Sequence, residues 1–289
     1  MQSSDGASGS MESLLAMSEQ DMLTDIHRLC DEIEINGFAI VRNLIDRDTV
    51  TELSRRADSA WRRGADPDRP HSKVEIAGAE VEAVDAVRSV ARETRLLGTM
   101  LALLGPNIYV NYAGFTINPP QAPDKAAMEF HTDGGRISRE HVGGAEPRYS
   151  IKTSVWLTDG TQLGTGNFHV IPGSHKWPTR PDADLDALAV PVLVNVGDAI
   201  IFERRVWHTR KPNLSSTTRK VLFLDYAPRW MERKCSSAAV SLNHYSEPIE
   251  NQLFNNQANW SAFAPKKHMI PCLALMEALG ITRREDRTR

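Results

Sequence analysis

From Ile108 onward the chain breaks into short runs of β-forming residues, at 108–117, 128–132, 149–158, 167–171, 192–195, 199–206 and 219–226, separated by turn signals. Many short strands at such spacing predict an all-β sandwich or barrel. The first third reads differently. Ser18 with Asp21 resembles a capping box, and Met22, Ile26, Leu29 and Ile33 recur at helical spacing up to the stop at Asn36-Gly37. Phe38–Val41 then reads as a short buried strand, and a second helix starts near Asp48 with Val50, Leu53, Ala57 and Trp61 on one face. Residues 64–72 form a loop, and a third helix spans 84–104 before Gly105-Pro106. Residues 178–190 read as a connecting loop, and one amphipathic stretch follows near Cys272–Leu279. The expected organisation is a disordered tail over 1–17 and a single domain over 18–289. That domain has a helical part (18–107), a β core (108–230) and an extension (231–289).

Composition excludes several classes. A net charge of −3 with no Lys/Arg-rich run gives no footprint for nucleic acid or an anionic membrane. No apolar stretch reaches the length of a membrane span. Residues 1–10 are Ser/Gly-rich and lack the basic region and apolar core of a secretory signal, with Met11 as a second candidate start. Cys30, Cys235 and Cys272 are few and far apart, which argues against a disulfide framework or a cysteine zinc site. A reducing cytoplasm is the expected location.

His131 and Asp133 stand two apart in Glu129-Phe130-His131-Thr132-Asp133-Gly134-Gly135, and on a strand such residues share a face. His208 lies at the end of the strand-like run that starts with residues 198–203, and Arg219 comes eleven residues later (219 − 208 = 11). Two imidazoles and one carboxylate on one side of a metal suit a non-heme Fe(II) that activates oxygen. Arg219 adds a permanently charged fork for a carboxylate of an organic co-substrate. A lone His-x-Asp arises often by chance; the set carries the signal because its parts occur together and in order.

The stretch Gly166-Asn167-Phe168-His169-Val170-Ile171-Pro172-Gly173-Ser174-His175-Lys176 resembles a signature of phytanoyl-CoA-dioxygenase-like oxygenases. The segment His208-Thr209-Arg210-Lys211-Pro212-Asn213-Leu214-Ser215 followed by Arg219 is similar to the same family's distal motif. The resemblance covers roughly residues 35–260. It implies a mainly β fold with flanking helices around a double-stranded β-helix (jelly-roll, cupin-like) core, and Fe(II), 2-oxoglutarate and O2 as cofactors. It also implies His131, Asp133 and His208 as iron ligands and Arg219 as the partner of the distal carboxylate of 2-oxoglutarate. Departures are Gly164-Thr165-Gly166-Asn167 before the signature, and Asn118-Pro119-Pro120 where many relatives carry a lysine. Thr116, Asn118 and Trp156 are therefore the candidates for further co-substrate contacts.

The expected reaction is hydroxylation of an unactivated carbon of a small molecule, with decarboxylation of 2-oxoglutarate to succinate. Asp133 in the carboxylate position argues against halogenation, since related halogenases carry a small residue there. Desaturation, epoxidation and ring formation use the same cofactors. Two rivals are a cupin-type oxygenase needing no keto acid and a non-catalytic jelly-roll binding module. Arg136, Arg139, Arg148, Lys152, Arg204 and Arg205 read as a solvated face or as contacts for an anionic substrate group. His175 and His169 read as structural, His141 as part of a lid, and Trp207, Tyr226 and Trp230 as core or pocket wall. The sequence sets neither the substrate nor the oligomeric state.

Overall fold

The computed structural model describes residues 18–64, 68, 71–122, 128–133, 148–177, 179–180, 182–232, 245–255 and 265–283. The expected tail over 1–17, Arg136, Arg139, His141 and Cys235 lie outside the described residues.

Helix α1 (Glu19–Asn36) starts at Ser18, whose hydroxyl accepts from the Asp21 amide, and ends on Gly37 at φ 82°. Both ends match the expectation, and Ile26, Leu29 and Ile33 form its buried stripe. Strand β1 (Phe38–Val41) and helix α2 (Arg47–Gly64) follow as expected. The region after α2 departs from the sequence reading. Strand β2 (Val74–Ala77) and the short helix α3 (Ala79–Glu82) were not anticipated. The single helix expected over 84–104 is two, α4 (Asp85–Ala91) and α5 (Thr94–Leu104). Arg92 and Glu93 leave helical geometry, and the Glu93 carboxylate accepts from the Leu96 amide to cap α5.

Six strands form one antiparallel sheet in the order β1-β7-β4-β9-β3-β2, with β3 (Ile108–Asn118), β4 (Ile151–Trp156), β7 (Ala199–Glu203) and β9 (Arg219–Pro228). A second antiparallel sheet has the order β6-β5-β8, from β5 (Phe168–Val170), β6 (Val190–Val192) and β8 (His208–Arg210). Three strand expectations need correction. Residues 128–132 make no strand, only a bridge between His131 and His208. His208 does not end the strand before it but opens β8. Strand β6 lies earlier than 192–195, and the 178–190 loop carries the short helix α6 (Leu185–Leu188). Helix α7 (Pro248–Phe254) was not anticipated, whereas α8 (Pro271–Ala278) sits where the amphipathic stretch was expected.

Strand alternation divides the large sheet into two apolar faces. Ala39 and Val41, Ile151 and Val155, Ala199 and Ile201, and Leu222 and Leu224 pack with the helices in one core. Their neighbours Trp156, Ile200, Phe202 and Val221 pack instead with Phe168, Val170 and Val192 of the small sheet. Strand β3 keeps to this division only through a bulge. Its register against β9 shifts between Val110 and Tyr112. Ile108 and Val110 face the helices before the shift, and Ala113, Phe115 and Ile117 after it. The extra residue, Asn111, thus reverses the phase of the strand and turns Tyr112 and Thr116 toward the space between the sheets, where both line a cavity.

Candidate metal and co-substrate site

That cavity, about 230 Å³, is lined by His131, Asp133 and His208 together with Arg210, Arg219 and Thr116. His131 and Asp133 converge on His208 without lying on a strand. The His131 and His208 amides exchange hydrogen bonds of 3.0 Å with each other's carbonyls, and the Asp133 amide donates to the Arg204 carbonyl at 2.7 Å. One ligand atom from each of the three side chains lies within 4.8 Å of the others. Asp133 Oδ2 is 3.6 Å from His208 Nε2, and Oδ1 is 4.0 Å from His131 Nε2.

The tautomers suit a metal. His131 Nδ1 lies 2.9 Å from the Glu129 carbonyl and His208 Nδ1 2.9 Å from the Val206 carbonyl. A carbonyl only accepts, so each Nδ1 carries a proton and each Nε2 is the ring nitrogen turned toward the Asp133 carboxylate. Burial pushes the His208 imidazole down to about 4, which keeps it neutral. Burial alone would raise the Asp133 carboxyl; the Lys152 ammonium 2.8 Å from Oδ2, with the nearby imidazoles, outweighs it and holds the group well below the usual carboxylate range. Two imidazole nitrogens and an anionic oxygen around one point fit a divalent cation.

Arg219 is buried, with 4% of its surface exposed. Its Nη1 donates to Asn118 Oδ1 at 2.7 Å, and its guanidinium stacks over Trp156, 4.4 Å from the ring centroid. Its Nε and the Asn118 Nδ2 find no partner. Burial, reinforced by the charge of Arg210, pulls Arg219 down to about 9. Among the described residues no acidic side chain pairs with Arg219 or Arg210. Two desolvated cations with spare donors and no counter-charge fit an anionic ligand. Arg219 and Thr116 line the cavity, whereas Asn118 and Trp156 touch Arg219 and contribute no lining of their own.

The other basic residues correct the sequence reading. Arg148 is held by Glu34 and Glu203, Arg205 by Glu203, and Arg204 Nη2 donates to the Asp133 carbonyl. Lys152 contacts Asp133 inside the cavity and belongs to no solvated face. His175 is buried in its turn, beside the Glu34 carbonyl, and Tyr226 is a core residue whose hydroxyl donates to the Ala91 carbonyl. Trp230 is half exposed. Sequence reasoning missed Arg210 as a cavity residue, although it stands two positions after His208 and so shares its face of β8.

The chain is 24% identical over 213 residues to the iron/alpha-ketoglutarate-dependent dioxygenase penM of Penicillium thymicola, covering 69% of this chain and 67% of that protein. It is 24% identical over 236 residues to the dioxygenase cdmD of Talaromyces verruculosus, covering 72% and 76%. In fold it is similar to HygX from Streptomyces hygroscopicus with nickel and 2-oxoglutarate bound (TM-score 0.58, 16% identity, 71% of this chain and 88% of that one). It is also similar to the epimerase SnoN in complex with Fe3+, alpha-ketoglutarate and nogalamycin RO (TM-score 0.56, 18% identity, 71% and 84%). The profile of the family described as "Phytanoyl-CoA dioxygenase (PhyH)" matches residues 33–221, a span that takes in His131, Asp133, His208 and both arginines of the cavity. By that match over more than half of its length, the chain belongs to the phytanoyl-CoA dioxygenase family.

Proposed function

We propose that the protein is an iron(II)- and 2-oxoglutarate-dependent dioxygenase that hydroxylates an unactivated carbon of a small molecule. The observation that carries this reading is one cavity holding both a His, His, Asp set and two arginines with no acidic partner among the described residues. The two facing antiparallel sheets are read as a double-stranded β-helix, and residues 18–289 as a single oxygenase domain. The fold neighbours that bind nogalamycin RO and hygromycin B support a small-molecule substrate. Among the described residues no helix is long and apolar enough to cross a membrane, and the cytoplasm stays the proposed location.

His131, Asp133 and His208 would hold the iron. Iron(II) with 2-oxoglutarate and O2 supplies oxidation of a C–H bond, coupled to conversion of 2-oxoglutarate to succinate and CO2. Arg219 would pair with the distal carboxylate, and Arg210 would add a second positive charge to the same end. Asn118 and Trp156 hold the Arg219 guanidinium in one plane, so that little of its freedom is lost on binding. The Thr116 hydroxyl offers a further donor from β3. Phe168, Phe202 and Phe223 give the cavity an apolar wall.

The test is binding followed by turnover. The protein should take up iron(II) and 2-oxoglutarate, and release succinate faster when a metabolite panel contains its substrate. His131→Ala should abolish iron binding and succinate formation together. Arg219→Ala should keep iron but raise the 2-oxoglutarate KM by about tenfold or more, as expected for a lost charge-assisted pair. Unchanged 2-oxoglutarate kinetics in Arg219→Ala would sink the reading in favour of a keto-acid-independent oxygenase. Hydroxylation predicts a product heavier by one oxygen atom; desaturation or ring closure would show as loss of hydrogen.

A further inference from the structure

We infer that the cavity selects a substrate by a hydrogen-bond donor, a hydroxyl or a protonated amine on an apolar framework, and that Glu75 is the residue that accepts it. The inference rests on the oxygenase reading and adds the chemical class of the substrate. Glu75 lies on the edge strand β2, paired with Thr116 of β3. Its flanking residues Val74 and Ile76 pack against the helical core, so strand alternation sends Glu75 to the other face, where it lines the same cavity as the metal set. An acid on an edge strand usually faces water; this one faces a pocket.

The carboxylate is held in place. A Cβ on Gly114 would stand 2.5 Å from the Tyr112 hydroxyl and 2.8 Å from the Ala77 Cβ. The bare glycine lets the Tyr112 ring lie back across β3 and donate its hydroxyl to Glu75 Oε1. Lys73 Nζ donates to Oε2 at 2.9 Å. Burial would raise the Glu75 carboxyl, but the Tyr112 and Lys73 bonds, with the charges of Lys73 and Lys152, bring it below its ordinary value. It is therefore an anion that only accepts. Two donors leave about two of its four lone-pair sites open, and 45% of the side chain remains accessible.

The rest of the lining gives this carboxylate its meaning. Glu75 and Asp133 are the acids among the described lining residues, and Asp133 faces the two imidazoles. Of the other polar lining residues, Tyr112 and Lys73 are bound to Glu75, Lys152 is paired with Asp133, and Arg210, Arg219 and Thr116 are assigned to the co-substrate. The part of the wall left over is Met128, Phe168, Phe202 and Phe223. One fixed acceptor with open lone pairs beside this apolar part of the wall orients a carbon skeleton by a single donor. A pocket built to accept a donor rejects the analogue that lacks it.

The test uses protein loaded with nickel(II) and 2-oxoglutarate, and calorimetric binding of three cage-shaped probes: borneol, bornylamine and bornyl methyl ether. Wild-type protein should bind the alcohol or the amine about tenfold or more tightly than the ether, the range expected for a hydrogen bond to a charged group. Glu75→Ala should erase that preference while nickel and 2-oxoglutarate binding persist. Glu75→Gln, close in shape, keeps an acceptor; it should retain the preference for a hydroxyl and lose that for an ammonium. The inference is overturned if the ether binds as tightly as the others, if no probe binds, or if the preference survives Glu75→Ala. Wild-type protein that takes up neither metal nor 2-oxoglutarate would instead remove the oxygenase reading, and this inference with it.

Discussion

Arg219 shows how a single guanidinium is aimed by residues that do not line the cavity themselves. Trp156 lies under it, Asn118 accepts from it, and Gly166 lies against its aliphatic stem. Gly166 has φ 77°, and a Cβ there would stand 2.7 Å from Arg219 Cδ. Gly166→Ala should therefore act twice. It strains the backbone, lowering stability by about 1 kcal/mol or more, and it pushes the stem aside, raising the 2-oxoglutarate KM several-fold. Thermal melting and steady-state kinetics would separate the two; an unchanged KM would show that the arginine does not need its glycine. At this scale much of the site was legible. His131, Asp133, His208 and Arg219 stand out because few residue types do their chemistry and their order along the chain is distinctive. What Arg148 and Lys152 do was not legible, because their partners Glu34, Glu203 and Asp133 are chosen by the fold. A cation in a sequence carries no mark of its anion.

Among the elements, the ends of α1 were readable because Ser18 and Gly37 are local signals. The break between α4 and α5 was hidden. The apolar positions run on across it, and the capping residue is a glutamate in place of the usual Ser, Thr, Asp or Asn. Glu93 also pairs with Arg95, so its carboxylate ties the first turn of α5 at two points. Glu93→Ala should lower stability by about 0.5–2 kcal/mol without altering 2-oxoglutarate binding. Chemical denaturation would check this, and an unchanged midpoint would show that the cap is idle. The expected strand over 128–132 failed for a different reason. The segment has only one partner residue pair, at His208, and one bridge does not make a ladder. The three side chains face each other all the same, because backbone hydrogen bonds hold His131 and Asp133 to the chain around His208.

Over the whole molecule, one buried acid joins distant parts of the chain. Glu203 at the end of β7 is fully buried and paired with Arg148 and Arg205, and Arg148 also reaches Glu34 of α1. Burial would raise the Glu203 carboxyl, but the two guanidiniums hold it below its ordinary value. A depressed carboxyl stabilises the fold above its unfolded-state pKa, and that stabilisation is lost as pH falls through the folded-state value. Glu203→Gln should cost about 3 kcal/mol near neutral pH, where Arg205 and Arg148 lose the buried carboxylate they share while Arg148 keeps Glu34. The gap to wild type should close in acid; a gap that stays constant with pH would assign the effect to packing alone. The division of the large sheet into two faces has a practical consequence for altering this protein. Residues that pack against the helices and residues that line the cavity alternate along the same strands, so variation can be confined to one set. A library over Glu75, Thr116 and Phe223 would vary what the cavity accepts, while Phe115, Leu222 and Leu224 next to them continue to hold the sheet against the helices.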